Sequence, residues 1–188
     1  MARPPHWKTI ETFRIQECRV FDVHRIVARS PRTGLDHDFF GIESSDWVNI
    51  IPVTSEGCVA MVHQYRHGAR ELTLETPGGL VDPGETPATA AARELLEETG
   101  YRAAEVVPLG SVNPNPALFG NRLHAFLGRG ARRVADVVSE TTEETVVELV
   151  PLRELRGLIR EGAVCHALVV AAVYLADLAG ELGARAAR

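Results

Sequence analysis

Apolar and polar positions alternate in strand-like fashion through the first third of the chain. Residues 19–29 (RVFDVHRIVAR), 38–43 and 47–53 are rich in β-branched and aromatic side chains, and turn residues separate them at Ser30-Pro31-Arg32-Thr33-Gly34 and Ser44-Ser45-Asp46. Residues 57–66 form a further run, which the Thr54-Ser55-Glu56-Gly57 turn makes a hairpin partner of 47–53. Later strands are expected at 106–111, 122–127 and 146–150. The period changes at 87–99, where Thr86 suits an N-cap, Pro87 the first helical position and Gly100 the position past the end. Two more helices are expected at 152–161 and 165–182. Strands, helix, strands and helices in that order predict a mixed β-sheet with helices on its faces, an α/β layered domain.

The 87–99 helix carries an unusual charge pattern. At about 100° per residue, Glu94, Glu97 and Glu98 share one face, while Ala88, Ala92, Leu95, Leu96 and Thr99 fall opposite and are expected to pack inward. Like charges at this spacing repel by about 0.2–0.5 kcal/mol per pair, so a positive group should offset them. Oxygen-only ligands suit a hard cation such as Mg²⁺ or Mn²⁺, which commonly shares its shell with substrate phosphates. A Glu-rich helix alone reads as a solvated acidic face. Glycines and Glu85 just upstream change that picture.

Composition bounds the rest. The chain has 188 residues, 45% of them hydrophobic and 24% charged, which suits one globular domain rather than a disordered chain. Its formal net charge is −5 and Lys8 is the sole lysine, so no polybasic footprint for nucleic acid is present. Cys18, Cys58 and Cys165 are odd in number and lack a CxxC pair, which suggests neither a disulfide framework nor a zinc site and fits a reducing cytoplasm. The N-terminal residues 1–7 contain no apolar targeting core. The apolar run 167–176 is far short of the roughly 20 residues of a membrane span and reads as a buried helix.

Gly79, Glu85, Arg93-Glu94-Leu95, Glu97-Glu98 and Gly100-Tyr101 match the pattern G-x5-E-x7-R-E-U-x-E-E-x-G-U, with U a bulky apolar residue. By this motif the chain resembles the Nudix hydrolases. Tyr101 is slightly polar for its slot. The resemblance implies an α/β/α sandwich and metal-dependent cleavage of a phosphoanhydride in a nucleoside diphosphate joined to another group. It implies metal binding by Glu94, Glu97 and Glu98, with Glu85 and the Gly78 carbonyl as further ligands, and an orienting role for Arg93 beside Glu85 or Glu94. A diphosphate is an anion, so an attacking water needs cations to screen that charge and to lower its own pKa.

The flanks point to a branch. Gln64-Tyr65-Arg66, then Glu71 and Glu75-Thr76-Pro77-Gly78-Gly79, resemble the ADP-ribose and nucleotide-sugar enzymes, which implies phosphate contact by Arg66 and a substrate-site position for Glu75. Pro116 resembles the proline marker of ADP-ribose pyrophosphatases, but no acidic residue follows it in Asn113-Pro114-Asn115-Pro116-Ala117-Leu118-Phe119-Gly120-Asn121-Arg122. Asn115, Phe119 and Asn121 could instead line a pocket for a different terminal group. The acidic loop Ser139-Glu140-Thr141-Thr142-Glu143-Glu144-Thr145 resembles one that supplies a water-activating glutamate, Glu143 or else Glu144. His63 and His67 receive no role.

The implied activity is Mg²⁺-dependent hydrolysis of ADP-ribose or a related nucleoside diphosphate sugar, giving a nucleoside monophosphate and a sugar phosphate. The alternatives are a GDP-mannose type of nucleotide-sugar hydrolase and, in another class, a sensor that binds ADP-ribose without cleaving it. Residues 1–45 are expected to be an N-terminal strand region serving as a dimerisation arm, and 46–188 the Nudix core with C-terminal helices. The expected partners are a nucleotide substrate and a second copy of the chain, with no nucleic acid or membrane.

Overall fold

A computed structural model describes residues 3–137 and 145–183. The chain divides into two compact units, Met1–Ser45 with Asn113–Arg122, and Asp46–Val112 with Leu123–Arg188.

The first unit is an antiparallel meander of β1 (Lys8–Glu17), β2 (Asp22–Arg29) and β3 (Asp36–Glu43). Opposite charges face each other across its strands: Arg29 forks onto Asp36 at 2.7 and 2.9 Å, and Arg14 meets Asp22 at 3.2 Å. Such pairs favour this register over slipped ones. Trp7 packs edge-on against His37 and Phe39. Residues 113–122 attach to β3, where Ile42 N–H donates to the Leu118 carbonyl and Asn121 Nδ2 to the Ser45 carbonyl. Strand β1 was not expected: KTIETFRIQE is exposed along nearly its whole length, so burial imposed no clean alternation on it.

The second unit contains β4 (Trp47–Thr54), β5 (Cys58–Arg66), β6 (Glu71–Glu75), α1 (Pro87–Thr99), β7 (Tyr101–Arg102), β8 (Glu105–Val112), β9 (Leu123–Arg133), β10 (Val146–Pro151), a short 3₁₀ turn, α2 (Leu155–Glu161) and α3 (Ala167–Leu178). The sheet runs β10-β5-β4-β9-β7, with β6 on β5 and β8 on β9. Strands β4 and β9 are parallel and the β5 pairings antiparallel, so the sheet is mixed, as expected.

Successive residues of a strand point to opposite faces, and here both faces are covered. Val48 and Ile50 of β4 and Phe126 of β9 pack with Ala90, Ala91 and Leu95 of α1. Ile51 and Leu127 face the other way, into a cluster with Leu155 of α2 and Val169, Ala172 and Val173 of α3. The core of this unit is therefore a helix/sheet/helix sandwich. Strand β6 escaped the sequence pattern because ELTLE is short and charged at both ends, and β7 has only two residues. Among the described residues no helix is long and apolar enough to cross a membrane.

Candidate active site

Helix α1 begins and ends where its capping residues predict. Thr86 Oγ1 accepts the Thr89 N–H at 3.2 Å, Pro87 occupies the first turn, and Gly100, at φ 72°, donates to the Leu96 carbonyl. Its inward face differs from the expected one. Ala88 and Ala92 are exposed, whereas Ala90, Ala91, Leu95, Glu98 and Thr99 are buried. Alanine is a poor marker of the buried face because its methyl loses little in water, and Glu98 tolerates burial because it has a partner. The three glutamates therefore do not share one solvated face: Glu98 is 8% exposed, while the Glu97 side chain is 49% exposed.

The partner of Glu98 lies on the turn after β6. There the Pro77 and Gly79 carbonyls accept from Ile50 and Val48 of β4, both at 2.9 Å. Gly78 N–H turns instead to Glu98 Oε2 at 3.0 Å. Asn49 Nδ2 reaches Thr76 Oγ1 from the neighbouring strand at 3.2 Å. Both glycines are needed for this close approach. A Cβ on Gly78 would lie 2.1 Å from the Val48 carbonyl, and one on Gly79 would lie 2.3 Å from Glu94 Oε1. Glu94 and Glu98, one helical turn apart, thus converge on the same two-residue turn.

Arg93 supplies the positive charge that the acidic pattern demands. Its Nε and Nη2 donate to Glu85 at 3.2 and 3.1 Å, its Nη1 to Glu94 at 2.9 Å and Glu97 at 3.0 Å, and its Nη2 also to the Leu80 carbonyl. The hydrogen bonds from Arg93 hold the Glu85 carboxyl below its usual range. Three carboxylates around one guanidinium leave the cluster net negative, with Glu98 adding to it. Among the described residues no three His, Cys, Asp or Glu side chains form a ready-made metal cage. The donor chemistry nevertheless fits a hard dication. Carboxylate oxygens converge on a glycine turn under excess negative charge, and such an ion completes its shell with water and phosphate.

A second polar cluster joins β5, β6 and the start of α3. Arg66 Nε and Nη2 fork onto the two oxygens of Glu75, both at 2.8 Å. Thr73 Oγ1 donates to Oε1 and His166 Nδ1 meets Oε2, each at 2.6 Å. Glu75 is 1% exposed. Burial by itself would push its carboxyl up, but hydrogen bonds from Arg66, His166 and Thr73 hold it well below the ordinary range. His166 was not anticipated, because nothing in the sequence relates it to a glutamate 91 positions away.

The other expected residues belong to the first unit or fall outside what the structure describes. Pro116 and Phe119 belong to the first unit, where Phe119 bridges to Ile42. Asn115 there uses its carbonyl and Oδ1 to build the local turn, accepting from Leu118, Phe119 and Ala117. Asn121 is spent on Ser45 through Nδ2, and its buried Oδ1 has no partner among the described residues. Glu143 and Glu144 lie outside the described residues. Where the described chain resumes, Thr145 Oγ1 donates to the Glu98 carbonyl at 3.0 Å. His63 pairs with Glu148 and His67 stacks edge-on with Tyr65.

Residues 46–173 match the NUDIX domain. The chain is 31% identical over 140 residues to an ADP-ribose pyrophosphatase of Bacillus subtilis (strain 168), covering 73% of this chain and 75% of that one. It is 30% identical over 133 residues to a methanol dehydrogenase activator of Bacillus methanolicus, covering 70% and 71%. An ADP-ribose pyrophosphatase of Mycobacterium tuberculosis (strain ATCC 25618 / H37Rv) is 27% identical over 169 residues, covering 89% and 81%. The crystal structure of an ADP compounds hydrolase superposes with a TM-score of 0.83 over 96% of this chain and 97% of that one, at 20% identity, and so shares its fold. With the carboxylate box complete and the family domain spanning more than half its length, the chain belongs to the Nudix hydrolase family.

Proposed function

We propose that the protein hydrolyses the pyrophosphate bond of ADP-ribose or a closely related nucleoside diphosphate sugar, releasing a nucleoside monophosphate and a sugar phosphate, with Mg²⁺ as its metal and Mn²⁺ as a substitute. The observation that carries this reading is the convergence of Glu94 and Glu98 on the Gly78-Gly79 turn beside the Arg93 cluster, in a chain similar to ADP-ribose pyrophosphatases.

Glu94 and Glu98 would hold the ion, with Glu97, Glu85 and the Gly78 carbonyl as further donors. When bound, the ion screens the diphosphate and acidifies water. The chain's own residues do the rest. Arg93 orients Glu85, Glu94 and Glu97 by donating a hydrogen bond to each. Arg66, aimed by Glu75, would grip a phosphate oxygen. Glu143, or Glu144 beside it, would take the proton of the attacking water as the bridging P–O bond breaks, help typically worth ~10²–10⁴ in rate.

Turnover of ADP-ribose, GDP-mannose, UDP-glucose and dinucleoside polyphosphates, each with Mg²⁺ and with Mn²⁺, tests the assignment. ADP-ribose or another nucleotide sugar should give the highest kcat/KM, and Glu98→Gln should lower it by orders of magnitude in a folded protein. Undiminished hydrolysis by that variant would overturn the role of Glu98. Binding of ADP-ribose with no product after prolonged incubation would show a sensor instead.

The protein is further inferred to be a cytoplasmic homodimer built through residues 1–45. Trp7, Ile15, Leu35, Phe39 and Phe40 are all exposed in that unit, more apolar surface than a strand meander ordinarily leaves to water. Light scattering on the intact chain should give twice the 20.5 kDa monomer mass. A monomer at micromolar concentration would refute the dimer.

A further inference from the structure

We propose that His166 is a positioning residue that sets the arm of Arg66 through Glu75; the proposal rests on the reading of Arg66 as a phosphate contact. The two side chains meet on one atom: Glu75 Oε2 accepts His166 Nδ1 at 2.6 Å and Arg66 Nη2 at 2.8 Å. Oε1 is likewise shared by Arg66 Nε and Thr73 Oγ1. A carboxylate has about four lone-pair sites, and these four donors fill them.

Because Glu75 is 1% exposed, its lone pairs are served by these side chains rather than by bulk water. Without His166, Oε2 keeps Arg66 Nη2 but has one lone pair left open, which draws the remaining donors toward it. Thr73 is short and held on the same strand as Glu75, which leaves the long side chain of Arg66 as the group that moves. His166 itself is delivered by a rigid element. It immediately precedes α3, whose Val169, Ala172, Val173 and Ala176 are locked in the core. It makes no side-chain capping bond to that helix; its imidazole is directed to Glu75 instead. The start of α3 thereby fixes the direction in which the guanidinium at the end of β5 presents itself.

The test compares wild type, His166→Ala, His166→Asn, Arg66→Ala and the His166→Ala/Arg66→Ala double variant, all as full chains with Mg²⁺. Calorimetry with inorganic pyrophosphate gives Kd, steady-state kinetics on the preferred nucleotide sugar give KM and kcat, and thermal melts report folding. His166→Ala should weaken pyrophosphate binding and raise KM by about five- to tenfold, a partial loss of the Arg66 contact, with kcat within about twofold. His166→Asn, whose amide can donate to the same oxygen, should recover most of that loss. In the Arg66→Ala background the histidine change should add nothing. An unchanged Kd and KM in folded His166→Ala overturns the proposal, as does a full-sized loss on top of Arg66→Ala, or no pyrophosphate binding by the wild type. If His166→Ala does not fold, His166→Gln, which moves the donor off Glu75, takes its place with the same outcomes. Failure of the wild type on every nucleotide sugar refutes the substrate reading alone, since pyrophosphate affinity still decides the role of His166.

Discussion

Gly78 and Gly79 are neighbours, yet a methyl group on each would meet a different kind of atom. At Gly78 the obstacle is the Val48 backbone carbonyl, which cannot move without breaking β4, so Gly78→Ala should cost about 3 kcal/mol or more in urea unfolding. At Gly79 the obstacle is the tip of the Glu94 side chain. Gly79→Ala should therefore cost less, about 1 kcal/mol for displacing one side-chain tip, while turnover falls at least tenfold through displacement of a proposed metal ligand. Equal stability losses in the two variants would contradict this division. Glu75 offers a pH test. Its folded-state carboxyl lies below the ordinary range, so it stabilises the fold fully above the unfolded glutamate pKa, and that contribution is lost as pH falls from there through the folded value. Glu75→Gln should thus destabilise by about 3 kcal/mol at pH 7, typical of breaking a buried pair, with a gap to wild type that narrows below about pH 4. A gap that widens in acid would reverse the sign of the argument. At this scale Glu85, Arg93, Glu94 and Glu97 were legible because helical spacing and one short loop bring them together. Burial of Glu98 was not, since it depends on an N–H from a turn that only the sheet positions.

Among elements, α1 was legible to the residue because its caps are local chemistry, while its orientation was misread because alanines mark no face. The β5–β6 connection shows the opposite case, a conformation that its sequence does not favour. Arg70 there adopts φ 62°, the only described non-glycine residue in the left-handed region, with its N–H bonded to the Arg66 carbonyl at 2.7 Å. A side chain in that region costs roughly 1–2 kcal/mol, and glycine removes the cost at an entropic penalty of about 0.5–1 kcal/mol. Arg70→Gly should therefore stabilise the protein by about 0.5–1 kcal/mol, seen as a rise in Tm. A lower Tm would mean that the arginine side chain contributes more than its backbone strain takes away. The strands β1 and β6 were missed for a shared physical reason. Neither carries a strong pattern, since β1 is exposed along nearly its whole length and β6, though ELTLE alternates, has only five residues.

At the scale of the whole molecule, the sequence of strands and helices was readable because each element carries its own periodicity. Which strand lies beside which was not. Strand β4 sits between β5, its hairpin neighbour, and β9, a parallel partner that pairs Trp47 with Leu123. Nothing in either segment names the other, because both carry apolar side chains on both faces over residues 48–51 and 123–127. That pairing has a further consequence, for time rather than for stability. The glycine turn, the acidic helix and the arginine at the end of β5 all lie in the stretch of chain that the β4–β9 contact encloses. A loop of that length closes slowly, and its entropy must be lost before the contact rewards it. The chain can wind its helices early and still be inert. Catalytic competence arrives with this long-range pairing rather than with the helices, so a newly made molecule would become an enzyme late in its folding.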